Sequence, residues 1–505
     1  MTKEANEKSD ILTKQDVEEL SETIRNLYLA DDIPWVIGYS GGKDSTATLQ
    51  LIWLALRDMD RKNLKKAVHV IHTDTMLESP IVEQWARGSL QRMKDSAKDQ
   101  ELPFEIHRLT PDADQTFWVN LLGRGYPFPR KQFRWCTDRL KIKPVNNFVQ
   151  DRISQYGEII MVLGTRKAES ATRARRMAYY EKQRVRELLS PNPTLMNELV
   201  FSPLENWTND DVWLFLMQYP NPWGLSNNEL LTLYKGATAD NECPMMVSKD
   251  LPSCGNSRFG CWMCTMVTED KSMSAMIAND QEKRWLTPLL KFRNEIGNES
   301  KDFSRRSFRK MNGSLQGDDN RLYHGPYKKE VREKWLHDLL VLQDEIQKTA
   351  PAEFSDIELI TMPELRAIRR IWVKDKHEFE DSLPRIFEKV TGRVFEDPSW
   401  INPTGLGQEE WELLKEACEK TEPEEELILE LVSSLLSIEA VSNSLNSRGQ
   451  IYSQLEKEIQ KHSFKNEEDA TDVYLAKRKR NKGLESLSEP EKDEYEDDSD
   501  IGGTN

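Results

Sequence analysis

The chain has 505 residues and a net charge of −16, with 31% charged and 38% hydrophobic residues, which fits a soluble globular protein with polar tails. No apolar run approaches the ~20 residues of a membrane span, and the first residues lack an apolar signal core, so we expect a cytoplasmic protein without a membrane partner. The negative charge argues against coating nucleic acid by bulk electrostatics but leaves room for a local basic groove.

The first structural signal is a strand, a turn and a helix in immediate succession. An amphipathic helix is predicted within residues 1–30, and the apolar run 35–37 then breaks into a glycine- and serine-rich turn at 40–45. Leu49, Ile52 and Leu56 follow at helical spacing. Such a strand–loop–helix directs backbone N–H groups and the positive helix end into one concavity, which suits a phosphate chain.

The turn supplies the first candidate ligands. They are Ser40, Gly41, Gly42, Lys43, Asp44 and Ser45. Both glycines are expected to take positive φ and to let the backbone approach the ligand. The lysine and the serines offer ammonium and hydroxyl donors, and the aspartate is expected to hold Mg²⁺ or to orient the loop. The spacing does not match a Walker A motif.

A second strand is predicted at residues 67–71, and Asp74 and Thr75 follow it. Open α/β sheets bind nucleotides at the carboxyl ends of their strands, so we expect both residues near an adenosine. The alternative is that Asp74 caps the helix that begins at Pro80.

Two more strands are predicted, at Phe104–Leu109 and at 159–163. The second ends in Gly164 and a cluster of arginines, of which Arg166 and Arg173 are predicted to contact phosphates rather than to form a solvated helix face. Alternating strands and helices indicate an α/β fold with a doubly wound, mostly parallel sheet.

Four of the six cysteines, Cys243, Cys254, Cys261 and Cys264, are close in sequence. In a reducing compartment this pattern favours a metal site over disulfides, and four thiolates suit either zinc or a [4Fe–4S] cluster. Cys136 lies among arginines and lysines that would lower its pKa and make it a sulfur-carrying nucleophile. Alternatively, Cys136 is itself a cluster ligand in place of Cys243, which a resemblance implies: its block runs on to Lys141-Ile142-Lys143-Pro144 and is similar to the cysteine block of cluster-bearing sulfonucleotide reductases.

Several blocks together carry a family resemblance. They are residues 40–45, 72–75, 164–170 and 203–213. The first resembles the PP-loop of ATP pyrophosphatases, which split ATP between the α and β phosphates and pass AMP to an acceptor. In this order all four resemble the phosphoadenosine phosphosulfate (PAPS) reductase branch of the adenine-nucleotide α-hydrolase fold. Residues 123–144 and 253–273 are similar to DndC, the sulfurtransferase family of bacterial DNA phosphorothioation, and that similarity ends near residue 330.

The resemblance implies an ATP-dependent sulfurtransferase that adenylylates a DNA backbone phosphate, releases pyrophosphate and inserts sulfur. Lys43, Asp44, Arg166 and Cys136 would be its catalytic residues. It implies ATP, Mg²⁺ and a [4Fe–4S] cluster, with zinc as the alternative metal. A cysteine desulfurase would donate sulfur, and DNA would bind directly or through other proteins of the phosphorothioation system. The alternatives are an assimilatory sulfonucleotide reductase, a tRNA-thiolating enzyme and a zinc-stapled nucleic-acid-binding module.

These patterns divide the chain into four predicted segments. Residues 1–235 would form the PP-loop domain, 236–285 the cysteine segment and 286–464 a helical accessory region. Residues 465–505 carry segregated basic and acidic runs and are predicted to be a disordered tail. The basic stretch 305–310 would either contact a nucleic-acid backbone or form a solvated surface.

Overall fold

The structure is a computed structural model that describes residues 12–130, 133–237, 260–311, 313–376, 378, 380–401, 407–421 and 466–488. It also describes the single positions 428, 432, 435 and 464 and the pair 452–453. Cys243 and Cys254 therefore lie outside the described residues.

A six-stranded sheet organises the first half of the chain. Its strands are β1 Trp35–Gly38, β2 Val68–Thr73, β3 Phe104–Leu109, β4 Ile159–Val162, β5 Ser190–Pro191 and β6 Glu198–Phe201. Their spatial order is β3-β2-β1-β4-β6-β5. All neighbouring strands are parallel except β5, which pairs antiparallel with β6. The predicted fold class is confirmed.

The α-helices follow in chain order. They are α1 Lys14–Leu29, α2 Lys43–Arg57, α3 Pro80–Asp99, α4 Trp135–Thr137, α5 Lys143–Tyr156, α6 Ala171–Glu181, α7 Asn209–Gln218, α8 Asn227–Gly236, α9 Lys271–Asn279, α10 Thr287–Ile296, α11 Glu299–Asp302, α12 Lys329–Thr349, α13 Met362–Arg370, α14 Ser382–Thr391, α15 Gln408–Thr421 and a further helix Glu467–Ser488.

Helices cover both faces of the sheet. Successive side chains of a strand point to opposite faces, and here the residues on both faces are buried. Ile37 and Val70 face a core shared with α1, α2, α3 and α7. Val36 and Ile71 face a smaller core that contains Val149 from α5. The carboxyl ends of β1, β2 and β4 lie at one edge of the sheet. The turn 40–45, named the phosphate loop after its predicted ligand, begins there.

A second core lies in the helical half of the chain. It unites α10, α12, α13 and α14 with residues 117–140, which follow the third strand. Trp118 donates through its indole N–H to the Leu359 carbonyl at 2.7 Å, and Trp372 donates to the Leu122 carbonyl at 2.8 Å. The segment that carries Cys136 is thus fixed by the helical region, which the sequence did not indicate. The four predicted segment boundaries remain a prediction.

The predicted disorder of residues 465–505 is wrong for their first part, because Glu467–Ser488 is helical. The helix packs on the body of the protein: Glu467 lies 2.7 Å from the His324 imidazole, Tyr474 donates to the Gly317 carbonyl at 2.9 Å, and Ala470 is fully buried. The contacts that one face of this helix makes with the body of the protein stabilise it, although its charged composition favours disorder. Residues 489–505 lie outside the described residues. Among the helices that the structure describes, none combines the length and the apolar character that a bilayer crossing requires.

Candidate functional site

The phosphate loop is a tight turn between β1 and α2 that hydroxyl groups hold closed. Ser45 Oγ accepts from the Ser40 backbone N–H at 3.1 Å and donates to the Gly42 carbonyl at 3.0 Å. Gly41 has φ +78°, which an L-residue adopts only with strain, whereas Gly42 has φ −84° and occupies the N-cap position of α2. The expectation of positive φ is therefore confirmed for Gly41 and wrong for Gly42. The N-cap residue Gly42 has no side chain to cap α2, and of the first main-chain donors the Lys43 N–H donates to the Tyr234 hydroxyl at 3.2 Å.

Asp44 binds both Lys43 and Arg166, the two cations that were predicted to contact phosphates. Its carboxylate accepts from Lys43 Nζ at 2.8 Å and from Arg166 Nε at 2.7 Å. Arg166 is only 3% exposed and also donates to the Trp207 carbonyl at 3.2 Å. The structure therefore gives Asp44 the role of a bridging anion that fixes a lysine and an arginine from separate elements side by side.

Gly164 allows the end of β4 to touch the start of α2. A Cβ at this position would lie 2.8 Å from the Asp44 carbonyl oxygen and 2.9 Å from Thr48 Oγ1. Real Cβ atoms essentially never approach backbone that closely. The glycine is therefore required for the close packing that places Arg166 against the loop.

Asp74 and Thr75 lie at the carboxyl end of β2 and are 2% and 1% exposed. Asp74 accepts from the Met76 N–H at 2.7 Å and from Arg108 Nε at 2.8 Å. Burial alone would raise the pKa of this carboxyl, but those two donors lower it. Asp74 does not cap α3, because Ser79 holds the N-cap position. Both residues thus lie at the predicted edge of the sheet.

Glu78 completes this segment. Its carboxylate accepts from the Thr75 hydroxyl at 2.8 Å and from the Thr75 backbone N–H at 3.2 Å. Burial, reinforced by the Asp74 carboxylate, raises the pKa of Glu78 to about 7. The segment 74–78 is therefore stabilised by its own acidic side chains.

Arg173 lies on α6. Its guanidinium pairs with Glu169 one helical turn earlier and remains partly exposed. With Thr165, Ser170 and Arg176 it lines a cavity of about 440 Å³ beside the end of β4. The same Glu169 carboxylate accepts from the Arg166 backbone N–H at 3.0 Å, so Arg173 is connected to the Lys43–Asp44–Arg166 group through one side chain. The phosphate contact of Arg173 stays a prediction.

Three cysteines come together although they are far apart in sequence. Cys261 and Cys264 lie on one turn, closed by a bond from the Cys264 N–H to the Cys261 carbonyl at 3.0 Å, and their thiols are hydrogen-bonded. Cys136, on α4, is near enough to affect both sulfurs electrostatically. All three are free thiols.

The thiols differ in acidity. The hydrogen bond from Cys261, with help from the Met266 N–H and Arg293, lowers the pKa of Cys264 to about 6, and that of Cys261 is raised in turn. Burial raises the pKa of Cys136, and the opposing effect of Lys141 is smaller. The expected lowering of the Cys136 pKa by surrounding cations is therefore wrong, because desolvation dominates.

Arg293, from α10, clamps the cysteine turn. It is 3% exposed and donates to the Cys264 and Thr268 carbonyls, each at 2.7 Å. Trp262 and Met263, between the two cysteines, are buried in the helical core. Three convergent thiols beside the helical core, with Lys141 and Arg293 nearby, are a donor set that fits a [4Fe–4S] cluster or zinc.

A short backbone contact joins the segment after β2 to the cysteine turn. Glu78 forms an isolated antiparallel bridge with Cys261, and the Trp262 N–H donates to the Leu77 carbonyl at 2.9 Å. Residues 74–78 thus run directly from the end of β2 to the cysteine turn.

The first two arginines of the basic stretch 305–310 are engaged in ion pairs within the protein. Arg305 pairs with Glu295 at 2.7 Å, and Arg306 pairs with Asp302 at 3.2 Å. These ion pairs favour a structural role for the two arginines.

Sequence reasoning missed three functional neighbours: Glu78, Tyr234 and Arg293. Tyr234 accepts from the Lys43 backbone N–H at 3.2 Å through its hydroxyl, although it is 191 residues away. Arg293 and Tyr234 sit in ordinary amphipathic helices with no local motif. Glu78 could have been predicted from the sequence, since it closely follows Asp74 and Thr75 in the same motif.

Residues 34–267 match the sequence profile of the phosphoadenosine phosphosulfate reductase domain. This range contains the phosphate loop, Asp74, Arg166 and the cysteine turn, and the match supports the wider resemblance drawn from the sequence blocks. The narrower resemblance to DndC remains a proposal.

Individual proteins are also similar. Uncharacterized protein MJ0066 of Methanocaldococcus jannaschii is 26% identical over 200 residues, which are 40% of this chain and 35% of that protein. A phosphate complex of PAPS reductase from Candida auris is 12% identical, with a TM-score of 0.24 over 42% of this chain and 89% of that one. The U34-tRNA thiolase NcsA from Methanococcus maripaludis with its [4Fe-4S] cluster is 14% identical, with a TM-score of 0.26 over 57% of this chain and 81% of that one. The family match of residues 34–267 thus identifies a PAPS reductase-like region in this chain.

Proposed function

We propose that the protein is an ATP-dependent sulfurtransferase that adenylylates a DNA backbone phosphate and then replaces AMP with sulfur. The observation that carries this proposal is the direct connection between the two halves of the site. Segment 74–78 begins where a nucleotide would bind and ends in a backbone bridge to Cys261.

The nucleotide half is suited to break the bond between the α and β phosphates of ATP. Lys43 and the N-terminus of α2 would bind the outer phosphates, and Arg166 would stabilise charge that develops at the α phosphorus. Asp44 holds both cations in position before ATP arrives and offers a carboxylate to Mg²⁺. An acceptor phosphate oxygen would bond to the α phosphorus, and pyrophosphate would leave with the electron pair of the broken P–O bond.

The sulfur half would complete the reaction. A sulfur nucleophile would attack the activated acceptor phosphorus, and AMP would leave with its bonding electron pair. If the sulfur arrives as a persulfide, a second thiol must cleave the S–S bond, and the resulting disulfide is reset by an external thiol. Cys136, Cys261 and Cys264 would hold a [4Fe–4S] cluster, which supplies sulfur-binding iron when it is present.

Arg173 and Arg176 give the acceptor a place to bind. Their cavity lies beside the end of β4 and contains guanidinium groups that suit a phosphodiester. A cysteine desulfurase would supply the sulfur, and partner proteins of the modification system would assist DNA binding. We also propose a cytoplasmic location, where such partners would act.

The test is pyrophosphate release measured with ATP alone and with ATP plus duplex DNA and a sulfur donor. We expect release to depend on DNA and to fall by about 10²-fold or more in Lys43→Ala, because a charge-stabilising donor is lost. Lys94→Ala, an exposed lysine on α3, is the matched control. Release of phosphate and ADP instead of pyrophosphate and AMP would refute the proposal.

A sulfonucleotide reductase is the second candidate, because the family profile matched by residues 34–267 is that of PAPS reductase. Such an enzyme would consume PAPS and a thiol reductant to give sulfite, without ATP cleavage. Sulfite formation from PAPS at a rate that exceeds DNA-dependent pyrophosphate release would favour this candidate.

A further inference from the structure

A histidine–glutamate–histidine cluster lies on the sheet, outside the site described above. His69 belongs to β2, and Glu105 and His107 belong to the edge strand β3. His69 is directly opposite Glu105 in the parallel register, and His107 is two residues further along. Side chains alternate along a strand, so all three project from the same face, the one covered by α5.

Three potential ligand atoms of this cluster form a compact triangle. His69 Nδ1 is 3.1 Å from Glu105 Oε2 and 3.2 Å from His107 Nε2, and His107 Nε2 is 3.7 Å from Glu105 Oε2. A tetrahedral zinc ion with bonds of about 2.0–2.1 Å separates its ligand atoms by about 3.3 Å. The three spacings therefore bracket the edge of a tetrahedral coordination shell.

Hydrogen bonding accounts for this triangle only in part. One proton on His69 Nδ1 can point at either Glu105 or His107, so hydrogen bonding leaves one of the two short contacts of Nδ1 without a donor of its own. His69 is fully buried, and its other ring nitrogen, Nε2, has no hydrogen-bond partner among the described residues. A cation at the centre of the triangle would satisfy all three lone pairs at once.

The surroundings also suit a bound ion. The Phe148 ring of α5 packs against both imidazoles, with centroids 5.8 Å from His69 and 4.8 Å from His107, and this fixes the ring planes. Burial lowers the pKa of both histidines. The positive charge of nearby Arg152 would repel a bound cation, and the negative charge of the Glu105 carboxylate compensates for that repulsion. Glu105 is solvent-exposed, so water can reach the fourth coordination position.

We propose that His69, Glu105 and His107 bind one divalent transition-metal ion of the zinc class. Two imidazoles and one carboxylate are a donor set that zinc accepts. The ion would link the edge strand β3 to β2 through its ligands, on the face of the sheet that α5 covers. It would lie towards the amino-terminal ends of these strands, whereas the phosphate loop lies at the carboxyl end of the sheet. This inference does not depend on the proposed function.

Cobalt(II) titration of the full-length protein under anaerobic conditions tests the site. Cobalt bound by thiolates shows an intense sulfur-to-metal charge-transfer band, whereas cobalt bound by nitrogen and oxygen shows only weak visible bands. We expect the wild-type protein and Cys261→Ser each to bind one equivalent of cobalt with the weak bands of nitrogen and oxygen ligands. Glu105→Ala and His107→Ala should bind this equivalent at least about tenfold more weakly, because loss of a supporting residue alone costs that much.

His337→Ala, a partly exposed histidine on α12, is the matched control and should bind cobalt like the wild type. Glu105 is exposed, so its replacement tests the site without disturbing the core. Zinc should also raise the melting temperature of the wild-type protein more than that of Glu105→Ala. Wild-type cobalt affinity in both Glu105→Ala and His107→Ala, or no thiolate-free cobalt in the wild type, would overturn the proposal.

Discussion

The phosphate loop and the cysteine turn are built in different ways, although segment 74–78 connects them. The loop is closed by contacts within residues 40–45, and its geometry follows from one glycine with positive φ and two serines. The cysteine turn is assembled from remote parts of the chain: Cys136 arrives on α4, and Arg293 reaches it from α10. The loop therefore takes its shape from local contacts, to which remote hydrogen bonds from Trp85, from Arg166 and to Tyr234 are added, whereas the convergent site depends on the helical core.

The largest expected effect tests the remote support of the cysteine turn. Arg293→Ala removes the donor to the Cys264 and Thr268 carbonyls and leaves a cavity. We expect the free energy of unfolding to fall by about 3 kcal/mol or more, and iron or zinc content to fall about tenfold or more. Denaturant unfolding and metal analysis measure these changes.

Arg284→Ala, an exposed arginine in the same region, is the control and should keep its metal. Full metal content in Arg293→Ala would show that the cysteine turn keeps its metal-binding geometry without support from α10. The contrast between the two regions would then be lost.

The next effect tests the charges within the loop. Asp44→Asn removes the counter-charge of buried Arg166, so we expect a loss of about 2–3 kcal/mol in the free energy of unfolding. Part of the loss should be recovered when Arg166→Gln is added, because the two side chains are directly bonded. Strict additivity in the double-mutant cycle would contradict a coupled pair.

A third prediction concerns the glycine that brings the end of β4 to the loop. Gly164→Ala places a methyl group against the Asp44 backbone, so we expect a loss of about 1–3 kcal/mol and weaker ATP binding, measured by calorimetry. Gly88→Ala is the matched control: it lies within α3, and its Cβ would meet nothing within 4 Å. The control should be more stable by about 0.5–1 kcal/mol. Equal effects at both glycines would show that the close approach is unimportant.

The smallest effect concerns the one remote tyrosine at the loop. Tyr234→Phe removes the hydroxyl that accepts from the Lys43 N–H. A single neutral hydrogen bond contributes about 1 kcal/mol, so thermal unfolding should show a loss of that size. A much larger loss would mean that the loop relies on remote contacts as strongly as the cysteine turn does.

This contrast also explains what the sequence could predict. Strand and helix periodicity gave the parallel sheet, and the loop and Asp74 could be found because each belongs to a short contiguous motif at the end of a strand. Cys136 was predicted as an alternative ligand from a family resemblance. Spacing alone could not place it beside the cysteine turn, since that depends on packing of residues 117–140 into the helical core. Burial then overrode the basic residues near Cys136 and raised its pKa. The helix Glu467–Ser488 was missed for the same reason, because its stabilising partners lie about 150 residues away in sequence.

The most direct test of the account is the stoichiometry of one DNA-dependent reaction. Pyrophosphate, AMP and DNA phosphorothioate should form in equal amounts in the wild-type enzyme. Lys43→Ala should form none of them, and Cys261→Ser should release pyrophosphate but incorporate no sulfur. Sulfur incorporation by Lys43→Ala, or by the wild type without pyrophosphate release, would contradict a shared site for nucleotide and sulfur chemistry.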